Sequence, residues 1–227
     1  MMQLVIGNKN YSSWSMRPWV LMRHFELPFE EIELRLEFGA DSAFQRALAR
    51  YTPAGRVPVL LLDGHAVWDT LAIVEALADA LPALPIWPRD ARDRARARSL
   101  CAEMHAGFAA LRNHCPMNIE ARMPEVGPRV LAAEAAVRAD LARIDAMWSG
   151  QIGASGGPFL FGEFSAADAF YAPVVARTRS YALPLSPVSL AYADRVWATP
   201  GVSAWVADAL AEHDFLPEDE PYRSARD

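Results

Sequence analysis

Tyr11-Ser12-Ser13-Trp14-Ser15-Met16-Arg17-Pro18-Trp19 crowds four hydroxyls into five positions, just ahead of a segment with helical spacing. Hydroxyl donors that share a loop with the unpaired amides of a helix start suit an anion or a thiolate. Which of Tyr11, Ser12 and Ser13 would face that ligand stays open, because a shift of one residue exchanges them. Plain N-capping by Ser12, Ser13 or Ser15 is the competing reading. A serine hydroxyl near its ordinary pKa is too weak a base to take a proton at neutral pH, so its chemistry is to stabilise an ionised sulfur. Lowering a thiol by two pH units from ~8.5 needs about 2.7 kcal/mol of preference for the anion. One charge-assisted hydrogen bond plus helix-end amides supplies that. Arg17 either adds positive potential there or is a solvated helix residue.

Two further features carry chemistry. Arg56-Val57-Pro58 sets a proline at the start of an apolar run, where it must lie on an edge, at a bulge or in a cis bond. A cis bond would leave the Val57 N–H and C=O free to pair with an extended peptide ligand; an ordinary trans edge proline is the alternative. Asp69-Thr70 precedes another helical pattern. Amides and a hydroxyl at that point can hold a carboxylate while Asp69 holds an ammonium, which together fit an amino acid zwitterion. Simple capping by either residue explains the same pair.

The elements that must position these residues read as βαβαββα. Leu4 to Ile6 is a short apolar run, and Met16 to Phe25 has helical spacing in which Pro18 is tolerable only in a first turn. Glu31 to Glu37 alternates strictly, as a half-buried strand does. Asp41 and Ser42 are cap types before the helix-prone Ala43 to Arg50. Val57 to Leu62, Asp63-Gly64 and Ala66 to Trp68 make a hairpin, and Leu71 to Leu81 follows at helical spacing. Pro82, Pro85 and Pro88 then mark a connector over 82–90 between residues 1–81 and residues 91–227.

Beyond the connector, Arg89 to Phe108, Arg129 to Trp148, Ala166 to Arg177 and Val202 to Glu212 favour helix, with no convincing strand between them. The second half is therefore expected to be all-α, with Gly150 to Pro158 as a Gly- and Ser-rich loop. Asp90 and Arg94 are expected to pair on a solvated helix face. Cys101 and His105 share a helix face at i,i+4, but His114 and Cys115 lie nine or more residues on, roughly 13 Å along a continuous helix. No metal site is expected, and no Cys-x-x-Cys redox pair occurs.

Composition narrows the function classes. With 22 Lys plus Arg against 28 Asp plus Glu, the net charge of −6 repels polyanions, so nucleic acid is not an expected partner. Two cysteines and no dense framework read as reduced thiols. The absence of a signal-like start and of an apolar run near ~18 residues leaves the cytoplasm as the expected address, with no membrane partner.

The order of elements and the three motifs resemble the cytosolic glutathione transferase superfamily over nearly the whole chain. Ser12-Ser13-Trp14-Ser15 is similar to the serine signature of zeta-like and other bacterial serine-type members, although the zeta signature has cysteine where Trp14 stands. The resemblance implies an α/β thioredoxin-like N-terminal domain that binds glutathione, plus an all-α C-terminal domain that builds the second-substrate pocket. It implies that Ser12 or Ser13 donates to the glutathione thiolate and that Val57 pairs with the cysteinyl backbone before a cis Pro58. Asp69 and Thr70 would grip the γ-glutamyl end, with Tyr11, Ser15, Arg17 and Arg56 as further glutathione-binding residues. Phe164-Ser165-Ala166-Ala167-Asp168 resembles the superfamily's buried capping box. Met104, Phe108, Arg112 and Tyr171 are the candidates for the electrophile pocket; packing competes as the explanation for the three apolar or aromatic ones and solvation for Arg112. A homodimer acting on glutathione and a small electrophile, by transfer or peroxide reduction, is the activity implied. A zeta-like isomerase of the maleylacetoacetate type and a non-catalytic interaction protein on the same fold are the alternatives.

Overall fold

The computed structural model describes residues 1–226. Strand β1 (Met2–Gly7) runs into helix α1 (Ser13–His24), followed by β2 (Phe29–Leu34), α2 (Ala43–Leu48), β3 (Val59–Leu62), β4 (His65–Val67) and α3 (Thr70–Ala80). The sheet order is β2-β1-β3-β4, with β1 parallel to β2 and antiparallel to β3, and β3 antiparallel to β4. A parallel neighbour requires a crossover, which α1 provides. Asp63 and Gly64 both take positive φ in the β3–β4 turn, as a two-residue hairpin requires.

Alternation along β1 divides the packing between two faces. Leu4 and Ile6 enter the main core with Leu60, α1 and α3, while Val5 joins Val59, Phe44 and Leu48 under α2. All three β1 residues are completely buried. The alternation of Glu31 to Glu37 overruns the observed strand, which stops at Leu34, because the Leu36 N–H donates instead to Asn8 Oδ1 at 2.8 Å.

Helix α1 begins at Ser13 rather than near Met16, so Pro18 sits in its second turn and leaves the Trp14 carbonyl without its usual donor. Packing compensates. Residues Ser15 to Met22 are all buried, because α1 is held between the sheet on one side and the second half of the chain on the other.

That second half is helical: α4 (Ala91–Ala106), α5 (Ala109–His114), α6 (Val126–Ala133), α7 (Ala135–Ser155), α8 (Ala166–Tyr181), α9 (Pro187–Trp197) and α10 (Pro200–Glu212), with a 3-10 turn at Pro217–Asp219. Helices α8 and α10 pack on α1, and α4 packs on both α3 and α8. The region expected as one helix over Arg129 to Trp148 is two, broken at Glu134, whose φ and ψ are extended. The glycine-rich stretch is no loop at its start: α7 runs through Gly150 and Gly153 and stops only at Gly156, which has φ of 64° and donates to the Ile152 carbonyl. A glycine ends a helix where it turns left-handed, not merely where it occurs. Asp90 and Arg94 do not pair. The Asp90 carboxylate caps α4 through the Arg92 and Asp93 N–H groups, while Arg94 turns back to the Pro88 and Arg89 carbonyls.

The start of α8 is fixed by Asp168, which is fully buried and accepts from Ser165 N–H at 2.9 Å, Leu160 N–H at 3.1 Å and the Tyr192 hydroxyl at 3.0 Å. Burial pushes its carboxyl up to about 6 against the pull of these donors. Among the described residues no helix is long and apolar enough to cross a membrane.

Candidate functional site

The loop from Asn8 to Ser12, which hands β1 over to α1, is buried throughout and fastened from several directions. Asn10 Oδ1 accepts from Ile119 and Glu120 N–H, both at 2.8 Å. Lys9 Nζ lies 2.7 Å from Glu31 and 2.6 Å from Asp208, and the Lys9 carbonyl accepts from Trp205 Nε1 at 2.9 Å. Glu212 accepts from the Lys9 N–H and from the Asn10 N–H. The Tyr11 hydroxyl donates to Glu220 at 2.7 Å and accepts from Leu216 N–H at 3.4 Å. Burial and the Glu220 carboxylate raise the Tyr11 hydroxyl well above its ordinary value. The Tyr11 hydroxyl therefore faces the C-terminal segment.

Ser12 occupies the N-cap position of α1 without capping it. Its hydroxyl lies 2.7 Å from that of Ser15, which accepts from Gly7 N–H at 3.2 Å. Among the described residues no acceptor is paired with the Trp14 or Ser15 N–H. The competing explanation of this serine cluster, helix capping, is thus not what the side chains do. Ser13 Oγ points elsewhere and accepts from Arg177 Nη2 at 3.4 Å.

Asp69, by contrast, does cap α3, with Oδ1 accepting from Leu71 N–H at 3.1 Å. Its second oxygen is 3.2 Å from His105 Nε2, and Thr70 Oγ1 is 3.5 Å from Nδ1 of the same ring. His105 on α4 also meets the edge of Trp14, with ring centroids 5.0 Å apart. It is the residue that joins the serine loop to the Asp69-Thr70 pair, and nothing near it in sequence marks it, since its partners are 35 or more positions away. The Val57–Pro58 peptide is cis, and Val57 lies just outside the ladder, which starts at the Val5–Val59 pair. Arg56 is exposed beside it. Among the described residues no side-chain hydrogen bond or ion pair links Val57 or Arg56 to the other two features.

For several candidate residues the sequence left two readings open, and the structure places the side chains. Arg17 is not at the surface: it is completely buried, with its guanidinium carbon 4.1 Å from the Trp14 ring centroid. Tyr171 and Met104 are packed into the core rather than lining a cleft, and the Tyr171 hydroxyl is spent on the Leu100 carbonyl at 3.0 Å. Phe108 is also buried, at a left-handed N-cap with φ of 55°. Arg112 is half-buried, with its guanidinium 5.4 Å from the Trp14 ring. Cys101 and Cys115 are both buried thiols pushed up by burial, Cys115 to about 11, which makes neither a nucleophile near neutral pH.

Chemically, the arrangement offers an anion a helix start with free amides and a hydroxyl, next to a carboxylate and a threonine at a second helix start. Two domain families match the chain: the glutathione S-transferase N-terminal domain over residues 11–80 and the glutathione S-transferase C-terminal domain over residues 89–208. Among curated proteins, a probable maleylacetoacetate isomerase of Caenorhabditis elegans is 28% identical over 101 residues, 44% of this chain and 45% of that protein. The chain thus aligns with under half the length of that relative. The maleylacetoacetate isomerase of Rattus norvegicus is 25% identical over 77% of each chain. Among solved structures, a glutathione transferase homolog from Burkholderia GL BGR1 with bound glutathione superposes with a TM-score of 0.69 at 24% identity, covering 93% of this chain and 98% of that one. A diazinon-metabolizing glutathione S-transferase from Bombyx mori gives 0.70 at 17% identity with the same coverage. At these identities the two structures speak for the fold.

Proposed function

The chain belongs to the glutathione S-transferase family, and from that premise we propose that it binds glutathione and uses the glutathione thiolate on small electrophiles. The observation that carries this reading is the uncapped start of α1, where Ser12 stands beside two amides without acceptors. A thiolate placed there accepts from Ser12, while the Ser15 hydroxyl, held by Gly7 N–H, turns to donate to Ser12. Ser12 is therefore the activating serine, while the Ser13 hydroxyl is drawn to Arg177 instead. The thiol proton leaves to water; the sulfur then forms its bond to the electrophile, which releases its leaving group with the electron pair.

The remaining contacts follow from the same placement. The α-carboxylate of the γ-glutamyl group takes the Thr70 hydroxyl and the α3 amides, and its ammonium takes the Asp69 oxygen now facing His105. Val57 pairs its peptide groups with the cysteinyl backbone, with Arg56 at the open edge. Residues 1–81 would hold glutathione and residues 91–227 the second substrate, as a homodimer in the cytoplasm and without a metal. Glutathione-dependent isomerisation of a maleylacetoacetate-type substrate is the second reading, favoured by the names of the curated relatives.

Calorimetric titration with glutathione tests the proposal. Wild type is expected to bind at submillimolar to millimolar glutathione, and Thr70→Ala to weaken binding about tenfold, the loss of a ~1.5 kcal/mol hydrogen bond to a charged group. No heat of binding at millimolar glutathione would remove both enzyme readings and leave an interaction protein on this fold.

A further inference from the structure

Arg17 is a fully buried guanidinium whose Nε, Nη1 and Nη2 all lack a hydrogen-bond partner. Its neighbours are faces of rings: Trp14 at 4.1 Å and Phe170 at 5.1 Å. Among the described residues no carboxylate hydrogen-bonds to it. Buried charges in folded proteins are normally paired, because an uncompensated one costs several kcal/mol. Two more arginines worsen the imbalance. Arg177 is 3% exposed and the groups it donates to are neutral: the Cys115 and Pro173 carbonyls and Ser13 Oγ. Arg112 reaches the His105 carbonyl at 3.4 Å and is drawn upward by Asp140 against its own burial. Burial first, then Arg177 and Arg112, brings Arg17 down to about 9, which still leaves it charged at neutral pH.

This cationic cluster lies directly behind Trp14, the partly exposed ring that both Arg17 and Arg112 approach and whose edge meets His105. A fixed excess of positive charge with unfilled planar donors, separated from the His105 ring only by the partly exposed Trp14, is a site that suits a planar anion. The thiolate is already provided for at Ser12, one turn away. We propose that Arg17 and Arg112 form a carboxylate subsite for the second substrate, reached when the Trp14 indole swings aside, so that the protein prefers electrophiles carrying a carboxylate. The proposal rests on the glutathione-dependent reading above and specifies the chemical class of its second substrate. A purely structural Arg17, filling space against two aromatic rings, makes no distinction between charged and neutral ligands.

The test uses an inert matched pair, 4-methyl-3-nitrobenzoate and 4-methyl-3-nitrobenzamide, titrated calorimetrically into the full chain with and without saturating glutathione. The benzoate is expected to bind at least about tenfold more tightly than the amide, and Arg17→Met to bring that ratio to about one. Arg112→Gln, at a half-buried position, carries the same expectation where Arg17→Met does not fold. Arg17→Lys, which keeps the charge and loses the planar fork, is expected to retain only part of the preference. Equal binding of the two ligands by wild type, or an unchanged ratio in the folded arginine variants, overturns the subsite. Because the titration is also run without glutathione, failure to bind glutathione shows up separately and bears on the proposed function alone.

Discussion

Replacing Ser12 by alanine takes one donor from the entrance of α1 and no capping bond, since Ser12 makes none and its side-chain partner is Ser15 at 2.7 Å. A hydrogen bond to a charged acceptor is worth about 1.5–3 kcal/mol, which at 1.36 kcal/mol per pH unit is ~1–2 units of thiol pKa. The free amides of a helix end add ~0.3–1 kcal/mol, or roughly 0.2–0.7 unit. Starting from ~8.5 for a free thiol, the glutathione thiol in the wild-type complex should titrate at about 6–7. In Ser12→Ala it should rise by ~1–2 units and stop short of the free value, because the α1 amides remain. Ultraviolet thiolate absorbance of the complex against pH reads this directly. Ser13→Ala is the internal control: its Oγ faces Arg177 at 3.4 Å, so the thiol pKa should stay where it is. A wild-type thiol that titrates at the free value, or a Ser13→Ala shift equal to that of Ser12→Ala, refutes the assignment.

Two further outcomes concern how the loop before Ser12 is held. Glu33 on β2 and Glu212 at the end of α10 are hydrogen-bonded carboxyls, both raised chiefly by burial, Glu212 to about 7. A folded value above the unfolded one means the native chain keeps a proton that the unfolded chain releases, so stability is fullest below about 4.5, falls as pH rises towards about 7, and is level beyond. Glu33→Gln removes one of the two like charges; urea unfolding near pH 5 and near pH 8 should show a smaller loss across that window than in wild type, and an equal loss would sink the account. Gly201, in the first turn of α10, is where that helix crosses α1: a Cβ there would sit 2.5 Å from the Val20 carbonyl oxygen. Gly201→Ala should therefore cost ~1–3 kcal/mol, and a urea midpoint unchanged from wild type would mean the two helices slide apart more easily than their packing suggests.

Local chemistry was legible in the sequence wherever a residue's role depends on its immediate neighbours. The hairpin at Asp63-Gly64, the capping of α2 by Ser42 and the Asp69 cap of α3 are all decided within three or four positions. The proline before β3 was also readable, because few backbone settings accept it. Where the sequence left the outcome open or unmarked, a distant partner decided it. His105 is an ordinary helix residue until α4 is laid against α3, and Arg17 resembles a solvated arginine until α8 closes over α1. Helix α9 had a readable start, Ser186 followed by Pro187, with Ser186 capping Ser189, but its pattern was too short to stand out. The expected glycine-rich loop failed for the opposite reason: Gly150 and Gly153 face open space, so the helix passes through them at little packing cost.

The fastening of Lys9, Asn10 and Tyr11 by Glu212, Leu216 and Glu220 also sets an order of events during synthesis. Tyr11 and Glu220 are 209 positions apart. At about 5–20 residues per second, the ribosome makes the first of them roughly 10–40 s before the second. The strands of the N-terminal sheet are free to pair during that interval, but the turn that presents Ser12 still lacks its contacts with α10 and the C-terminal segment. The proposed ligand site is therefore completed last from residues made first, and a chain that stops short of α10 leaves it unfinished even with the sheet complete.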